Sequence, residues 1–189
     1  MSRSGNKALM GLAMFLIAAV GVWLSTRPTP IANSTVDIPD GFAATVVKVV
    51  DGDTIDIQSQ ARGRLRLRLV GIDTPEVKKP RYTQGCGGPE ASNFAKQMLD
   101  GKQVTVVIDP SQDAHDRWGR TVAAVFLADG RNFSVESAMA GYAQSYVYKN
   151  RPSRWAGEIR DAEKQSQEAR RGIWGALCVG KSIKSVPIG

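Results

Sequence analysis

The sequence predicts an α+β fold: a five-stranded β-barrel with about three packed α-helices, preceded by an N-terminal hydrophobic helix. Three observations predict it. Residues 64–69 read R-L-R-L-R-L, and a period of two gives a strand one apolar and one charged face. Four other short runs are rich in β-branched residues or alternate in the same way. Apolar stripes at helical spacing lie over 91–99 and 155–173.

The first element is the N-terminal helix. Arg3 and Lys7 precede Ala8–Leu24, a run with no charge and no proline. A basic flank before an apolar run is the pattern of an export signal. At ~1.5 Å per residue the run spans ~25 Å, slightly short of a ~30 Å membrane core. Ala19 and Gly21 offer a cleavage site before Val22, whereas Trp23 and Leu24 prolong the run in favour of an uncleaved anchor. Residues 1–27 are therefore a signal anchor or a cleaved signal peptide. The basic N-terminal flank orients the remainder outside the cytoplasm. Residues 28–41, with Pro28, Pro30 and Pro39, read as a linker. Residues 42–176 form the domain and 177–189 a C-terminal tail.

Within the domain, 43–50 is a β-branched strand and Asp51-Gly52 a turn or bulge. Residues 53–57 pair back, and 64–69 is the third strand. Gly71 bends its end before Asp73-Thr74-Pro75-Glu76. Residues 77–88 are loop. Pro89 starts a helix whose stripe is Ala91, Phe94, Ala95, Met98 and Leu99, ended by Gly101. Residues 103–108 and 120–127 are the fourth and fifth strands. Ser134 caps a short helix to Ala140. Tyr146-Val147-Tyr148 is extended. A long helix carries Trp155, Ile159, Ala162, Ala169 and Ile173, and stops at Arg170-Arg171-Gly172. Five strands with a helix between the third and fourth is the order of the OB-fold, a frequent carrier of nucleic-acid binding.

Composition narrows the chemistry. The 189 residues are 42% hydrophobic and 23% charged, the balance of a globular core rather than a disordered chain. Two cysteines and one histidine exclude a cysteine-rich zinc module and a His-rich metal centre. Acid–base work therefore falls to carboxylates. The net charge of +7 favours polyanionic partners. Part of it belongs to Arg3, Lys7 and Arg27 of the N-terminal segment; without those three, 22 basic groups face 18 acids. Outside the cytoplasm, Cys86 and Cys178 either form one disulfide or remain two separate thiols.

Five segments carry a resemblance. They are Asp51-Gly52-Asp53-Thr54, the run from Arg68 to Glu76, Gly88-Pro89-Glu90-Ala91-Ser92, Asp116-Arg117-Trp118-Gly119-Arg120 and Tyr146-Val147-Tyr148-Lys149. In this order and spacing they resemble staphylococcal nuclease, the thermonuclease family, from about residue 43 to 174. Asp53 and Asp73 are carboxylates at strand ends, suited to a hard oxygen site for Ca²⁺ if those ends converge. Read singly, each is equally a turn residue. The resemblance implies the Thr74 carbonyl as a further ligand. Arg68 and Arg120 are candidate phosphate clamps, because guanidinium donors are planar, bidentate and permanently charged. Glu76 is the candidate general base. The resemblance places Tyr146 and Tyr148 on the nucleotide, where aromatic faces stack on any base; the competing reading is a small core cluster. Arg117 and Trp118 stand where the family often shows Lys and Tyr, and join the substrate-binding set. Arg64 and Arg66 read as a solvated strand face, and His115 as an ordinary loop residue.

The resemblance implies a calcium-dependent nuclease that hydrolyses DNA and RNA with low sequence specificity, leaving 3′-phosphate ends. The chain is expected to be a monomer outside the cytoplasm, tethered through residues 8–24 if they are retained. The rival reading is a catalytically idle domain of the same shape that only binds nucleic acid. Its mark would be loss of Asp53, Arg68, Asp73, Glu76 or Arg120, and all five are present. Asp53→Ala and Arg68→Ala are each expected to remove most activity and leave the fold intact.

Overall fold

The computed structural model describes residues 41–77 and 80–188. The expected signal or anchor over 1–27, and all of the linker but residue 41, lie outside them. Strands β1 (Phe42–Val49), β2 (Thr54–Ser59), β3 (Gly63–Leu69), β5 (Gln103–Val107) and β6 (Thr121–Phe126) close a barrel in the order β1-β2-β3-β6-β5. Every pairing is antiparallel except β3 with β6, which is parallel. Helices α1 (Gly88–Leu99), α2 (Phe133–Met139) and α3 (Ala156–Glu168) complete the α+β domain. The barrel and helices have the OB-fold arrangement expected from the strand order.

The alternation over 64–69 works as read. Leu67 and Leu69 are buried in the barrel, with Val46, Ile55, Ile57, Val106 and Val125. Arg64 and Arg66 stay half exposed and pair with Asp56, Arg66 Nε standing 2.6 Å from its Oδ1. The β2–β3 register sets Thr54 opposite Arg68, so Asp53, one residue earlier, reaches the end of β3. Burial of apolar area at ~25 cal/mol per Å² drives this closure. The α1 stripe buries Ala91, Ala95 and Leu99, and α3 buries Ile159 and Ala162.

Three local details differ from the sequence reading. The cap of α2 is Asn132, whose Oδ1 accepts the Ser134 N–H at 2.9 Å. Ser134 instead donates its hydroxyl to the Val70 carbonyl at 2.9 Å, a tertiary bond with no local signature. Helix α3 ends at Glu168, before the basic pair. Arg170 takes a left-handed φ of 50°, and Arg171 N–H closes the end on the Ser166 carbonyl at 2.9 Å. Gly172 is needed for a different reason: a Cβ there would meet the Gly141 carbonyl at 2.2 Å. Ile173 falls in a following 3-10 turn and still packs inward. The third difference is a pair of two-residue strands, β4 (Ile72–Asp73) and β7 (Gln144–Ser145). Too short for any period, they fasten the Asp73 segment beside Tyr146, whose N–H donates to the Gly71 carbonyl at 2.9 Å.

The loop after β5 is fixed by Asp109, which is buried. Burial pushes its carboxyl pKa up, but backbone N–H groups of Arg154 and Ser111 outweigh this and hold it below the usual range. A depressed folded pKa gives stability that is present above the unfolded value of ~3.9 and lost as pH falls through the folded one. Asp109→Asn should therefore lower stability by about 1.5–3 kcal/mol at pH 7. Urea midpoints of the two proteins should draw together as pH falls below the usual carboxylate range. A gap that stays constant with pH would count against the charge as its source.

Candidate active site

One cavity of about 380 Å³ opens where the end of β3, the β1–β2 turn, β4 and the loop 109–120 meet. Asp53, Arg68, Asp73, Glu76, Arg117, Trp118, Arg120, Tyr146 and Tyr148 all line it. These residues are spread over almost a hundred positions of sequence, and the barrel end gathers them.

The acids and Arg68 form one cluster. Arg68 Nη2 lies 3.1 Å from Asp73 Oδ1 and 3.4 Å from Asp53 Oδ2. Its Nη1 donates to the Leu69 carbonyl at 2.8 Å, which fixes the guanidinium plane. Asp53 Oδ2 accepts the Thr74 N–H at 3.0 Å and the Thr74 hydroxyl at 3.2 Å, and Oδ1 accepts the Thr54 hydroxyl at 3.1 Å. Partial burial and the charge of Asp53 push the Asp73 pKa up, against the pull of Arg68, Lys184 and Arg120. Asp51 joins them. Burial and the charge of Asp53 push its pKa up to about 6. Sequence reasoning treated Asp51 as a turn residue; its place two before Asp53 was the available signal.

Arg120 is oriented separately. Its Nε donates to Asp116 Oδ2 at 2.6 Å and its Nη1 to the Thr54 hydroxyl at 2.9 Å. Asp116 Oδ1 accepts the N–H groups of Trp118 and Arg120, both at 2.9 Å, so the turn that carries Arg120 also carries its carboxylate brace. Thr54 thus touches both halves of the site. The Trp118 ring, 65% exposed, lies under Arg117 at 4.0 Å and under Arg120 at 4.9 Å. Tyr146 and Tyr148 are 45% and 38% exposed, which is incompatible with a core cluster. Asp113 pairs with Lys149 and Arg151 and so holds the left-handed turn that follows Tyr148. His115 also lines the cavity and bridges to Thr121 in the backbone. Nothing in the sequence signalled Asp113.

The donor set fits a hard divalent cation. Two carboxylates lie within 3.4 Å of one cationic nitrogen, and their mutual repulsion favours added positive charge. Among the described residues no three His, Cys, Asp or Glu side chains form a metal-holding group. Asp53 and Asp73 are the side chains that would hold the cation, with the Thr74 carbonyl that the resemblance implies and water filling the shell.

Asp53 is buried and receives three hydrogen bonds, so Asp53→Ala should lower stability as well as activity. It strands the buried Thr74 N–H and should cost about 1–3 kcal/mol, read as a lower urea midpoint. Asp53→Asn, which keeps acceptor oxygen, should recover most of that stability.

Residues 66–176 match the family described as "Staphylococcal nuclease homologue". The chain is 31% identical over 172 residues to a "Thermonuclease" of Staphylococcus hyicus, covering 89% of this chain and 98% of that protein. It is 35% identical over 145 residues to a "Thermonuclease" of Staphylococcus intermedius, covering 77% and 83%. An "Uncharacterized endonuclease" of Escherichia coli O157:H7 is 33% identical over 129 residues, covering 68% and 74%.

Proposed function

This chain belongs to the staphylococcal nuclease homologue family, and from that premise we propose that it is a calcium-dependent nuclease of DNA and RNA. It cuts phosphodiester bonds with little sequence preference, as endonuclease and exonuclease, and leaves 3′-phosphate ends. One observation carries this reading: two braced guanidiniums, a carboxylate cluster and exposed aromatic rings line a single cavity.

Arg68 and Arg120 hold the phosphoryl oxygens of the bond being cut. Each is fixed before substrate arrives, so little reorganisation opposes the charge that builds on phosphorus. Glu76 takes a proton from a water molecule. The water oxygen bonds to phosphorus, the bond from phosphorus to the 5′-oxygen breaks, and that oxygen leaves as a hydroxyl after taking a proton from solvent water. Asp53, Asp73 and Thr74 would hold calcium, whose charge would neutralise phosphoryl oxygen and draw the polyanion to an otherwise acidic surface. Trp118, Tyr146 and Tyr148 supply stacking faces, and Arg117 a further phosphate contact. Stacking and backbone contacts read no base edge, which accounts for low specificity.

The same reading places the protein outside the cytoplasm as a monomer, held by residues 8–24 where they are not removed. The Cys86–Cys178 disulfide supports that placement, because such bonds persist in oxidising compartments. Plasmid DNA and a single-stranded RNA incubated with the full chain test the activity. Degradation of both is expected with calcium and neither with chelator. Salt-sensitive binding without any cleavage would replace the reading with an idle binding domain.

A further inference from the structure

The residues after the last 3-10 turn (Ala176–Cys178) do not hang free. They run back along the loop that follows Glu76. Thr83 N–H donates to the Val186 carbonyl at 2.8 Å, Cys86 N–H to Ser182 at 2.9 Å, and Ile188 N–H to Arg81 at 2.8 Å. The Cys86–Cys178 disulfide ties one end of this strap. Gly85 sits at the crossing: a Cβ there would meet the Ile183 carbonyl at 2.3 Å, and its N–H donates to the Glu76 carbonyl at 3.0 Å. The strap therefore rests on Gly85, which in turn holds the Glu76 carbonyl.

Under the strap lies a second cavity of about 210 Å³, far above the roughly 10–15 Å³ that admits one water. Asp73 and Glu76 line both cavities; Trp118, Tyr146 and Tyr148 line only the first, and Lys184 and Ser185 only the second. A polynucleotide bound at Arg68 and Arg120 must continue in both directions from the phosphate being cut. The aromatic rings of the first cavity offer one path. The second cavity, which shares Asp73 and Glu76 with the first, offers the other. There the exposed Lys184 makes no ion pair among the described residues, and the enclosed Ser185 hydroxyl finds no hydrogen-bond partner. The charge of Lys184 is close enough to lower the Asp73 pKa, against the larger opposing effect of burial.

We propose that Lys184 is a substrate-binding residue that holds a backbone phosphate on the side of Glu76 away from the aromatic rings, and that the Cys86–Cys178 disulfide keeps it there. This rests on the nuclease reading above. A lysine ammonium suits the task as a mobile point charge on a strand whose bases it does not read.

Steady-state cleavage by the full chain, with calcium, tests it on two substrates. One is a thymidine dinucleotide, which has only the phosphate being cut; the other is a long oligothymidylate. Lys184→Ala should raise KM for the long strand about threefold to fivefold with kcat little changed. It should reduce the salt slope of that KM by about 0.7, the value for one single-strand phosphate contact. The dinucleotide should not respond, and Lys184→Arg should restore the long-strand KM. Equal change on both substrates, or no change on either, overturns the proposal, since a charge acting only through Asp73 would not distinguish strand length. Cys86→Ser with Cys178→Ser should reproduce the Lys184→Ala phenotype, and adding Lys184→Ala to it should do nothing more. Additive effects would overturn the role of the disulfide. If the double serine variant fails to fold, the Lys184 variants in the intact chain decide alone. Wild-type protein that cleaves neither substrate refutes the nuclease reading itself; active wild type with an indifferent Lys184 refutes only this one.

Discussion

Arg68→Ala and Arg120→Ala should each lower kcat about a hundredfold to a thousandfold, the usual effect of removing one fixed donor to developing charge. Both side chains are largely shielded from solvent, 14% and 21% exposed, so their charges act with little screening. They should differ in what else they change. Arg68 sits between Asp53 and Asp73, and its positive charge opposes a second cation there. Calcium affinity, measured by calorimetry, should therefore hold or tighten in Arg68→Ala while kcat collapses. Arg120 is braced by Asp116 and Thr54 and acts on Asp73 less than Arg68 does, so Arg120→Ala should change calcium affinity less. Loss of calcium binding in Arg68→Ala would assign that residue to ordering the ligands rather than to the phosphate. Arg68→Lys should recover little, because one ammonium cannot reproduce the fork that spans the Leu69 carbonyl and both carboxylates.

Reducing the Cys86–Cys178 disulfide should lower the melting temperature by roughly 4–16 °C, from a typical 2–4 kcal/mol and 2–4 °C per kcal/mol for a chain of this size. The bond closes a loop with a sequence separation of 92, long enough to restrict the unfolded chain substantially. In the native state its loss should loosen the strap, whose remaining ties are a few hydrogen bonds, mostly at exposed positions. Hydrogen exchange should locate the change: the N–H groups of Thr83, Cys86 and Ile188 should lose protection first, and those of β2 and β3 last. A melting temperature indifferent to reductant, with both thiols shown to be free, would contradict the expectation.

Elements of this fold differ, for physical reasons, in how plainly the sequence marks them. Every barrel strand announced itself, because a half-buried strand must alternate or be β-branched and six residues suffice to show it. The positions 64–69 are the clearest case. β4 and β7 could not announce themselves: two residues have no period, and their pairing joins segments some seventy positions apart. The end of α3 was misread because Gly172 looks like a helix stop, whereas it is required by close approach to Gly141. Ser134 looked like a cap for the same kind of reason. Its hydroxyl serves Val70, and the local role passes to Asn132.

The site divides along the same line. Asp53, Arg68, Asp73, Glu76, Arg120 and the aromatic residues were legible as types in an ordered set of short segments, each beside a turn that a local sequence can specify. Asp51 as a cavity acid, Asp113 as the brace of the Tyr148 turn and Lys184 beside the second cavity were not. Each acquires its role from a neighbour distant in sequence, and a single chain of letters carries no distances. The sequence by itself determined the barrel, the chemical inventory of the cavity and the family, since strand period, side-chain charge and motif order are local properties. Tertiary structure alone decided that Asp53 and Asp73 share the Arg68 guanidinium, how the two cysteines close, and that the C-terminal strap crosses the Glu76 loop. Those depend on how the closed barrel brings separate strand ends and loops within a few ångströms, where charge and hydrogen bonding first become interactions.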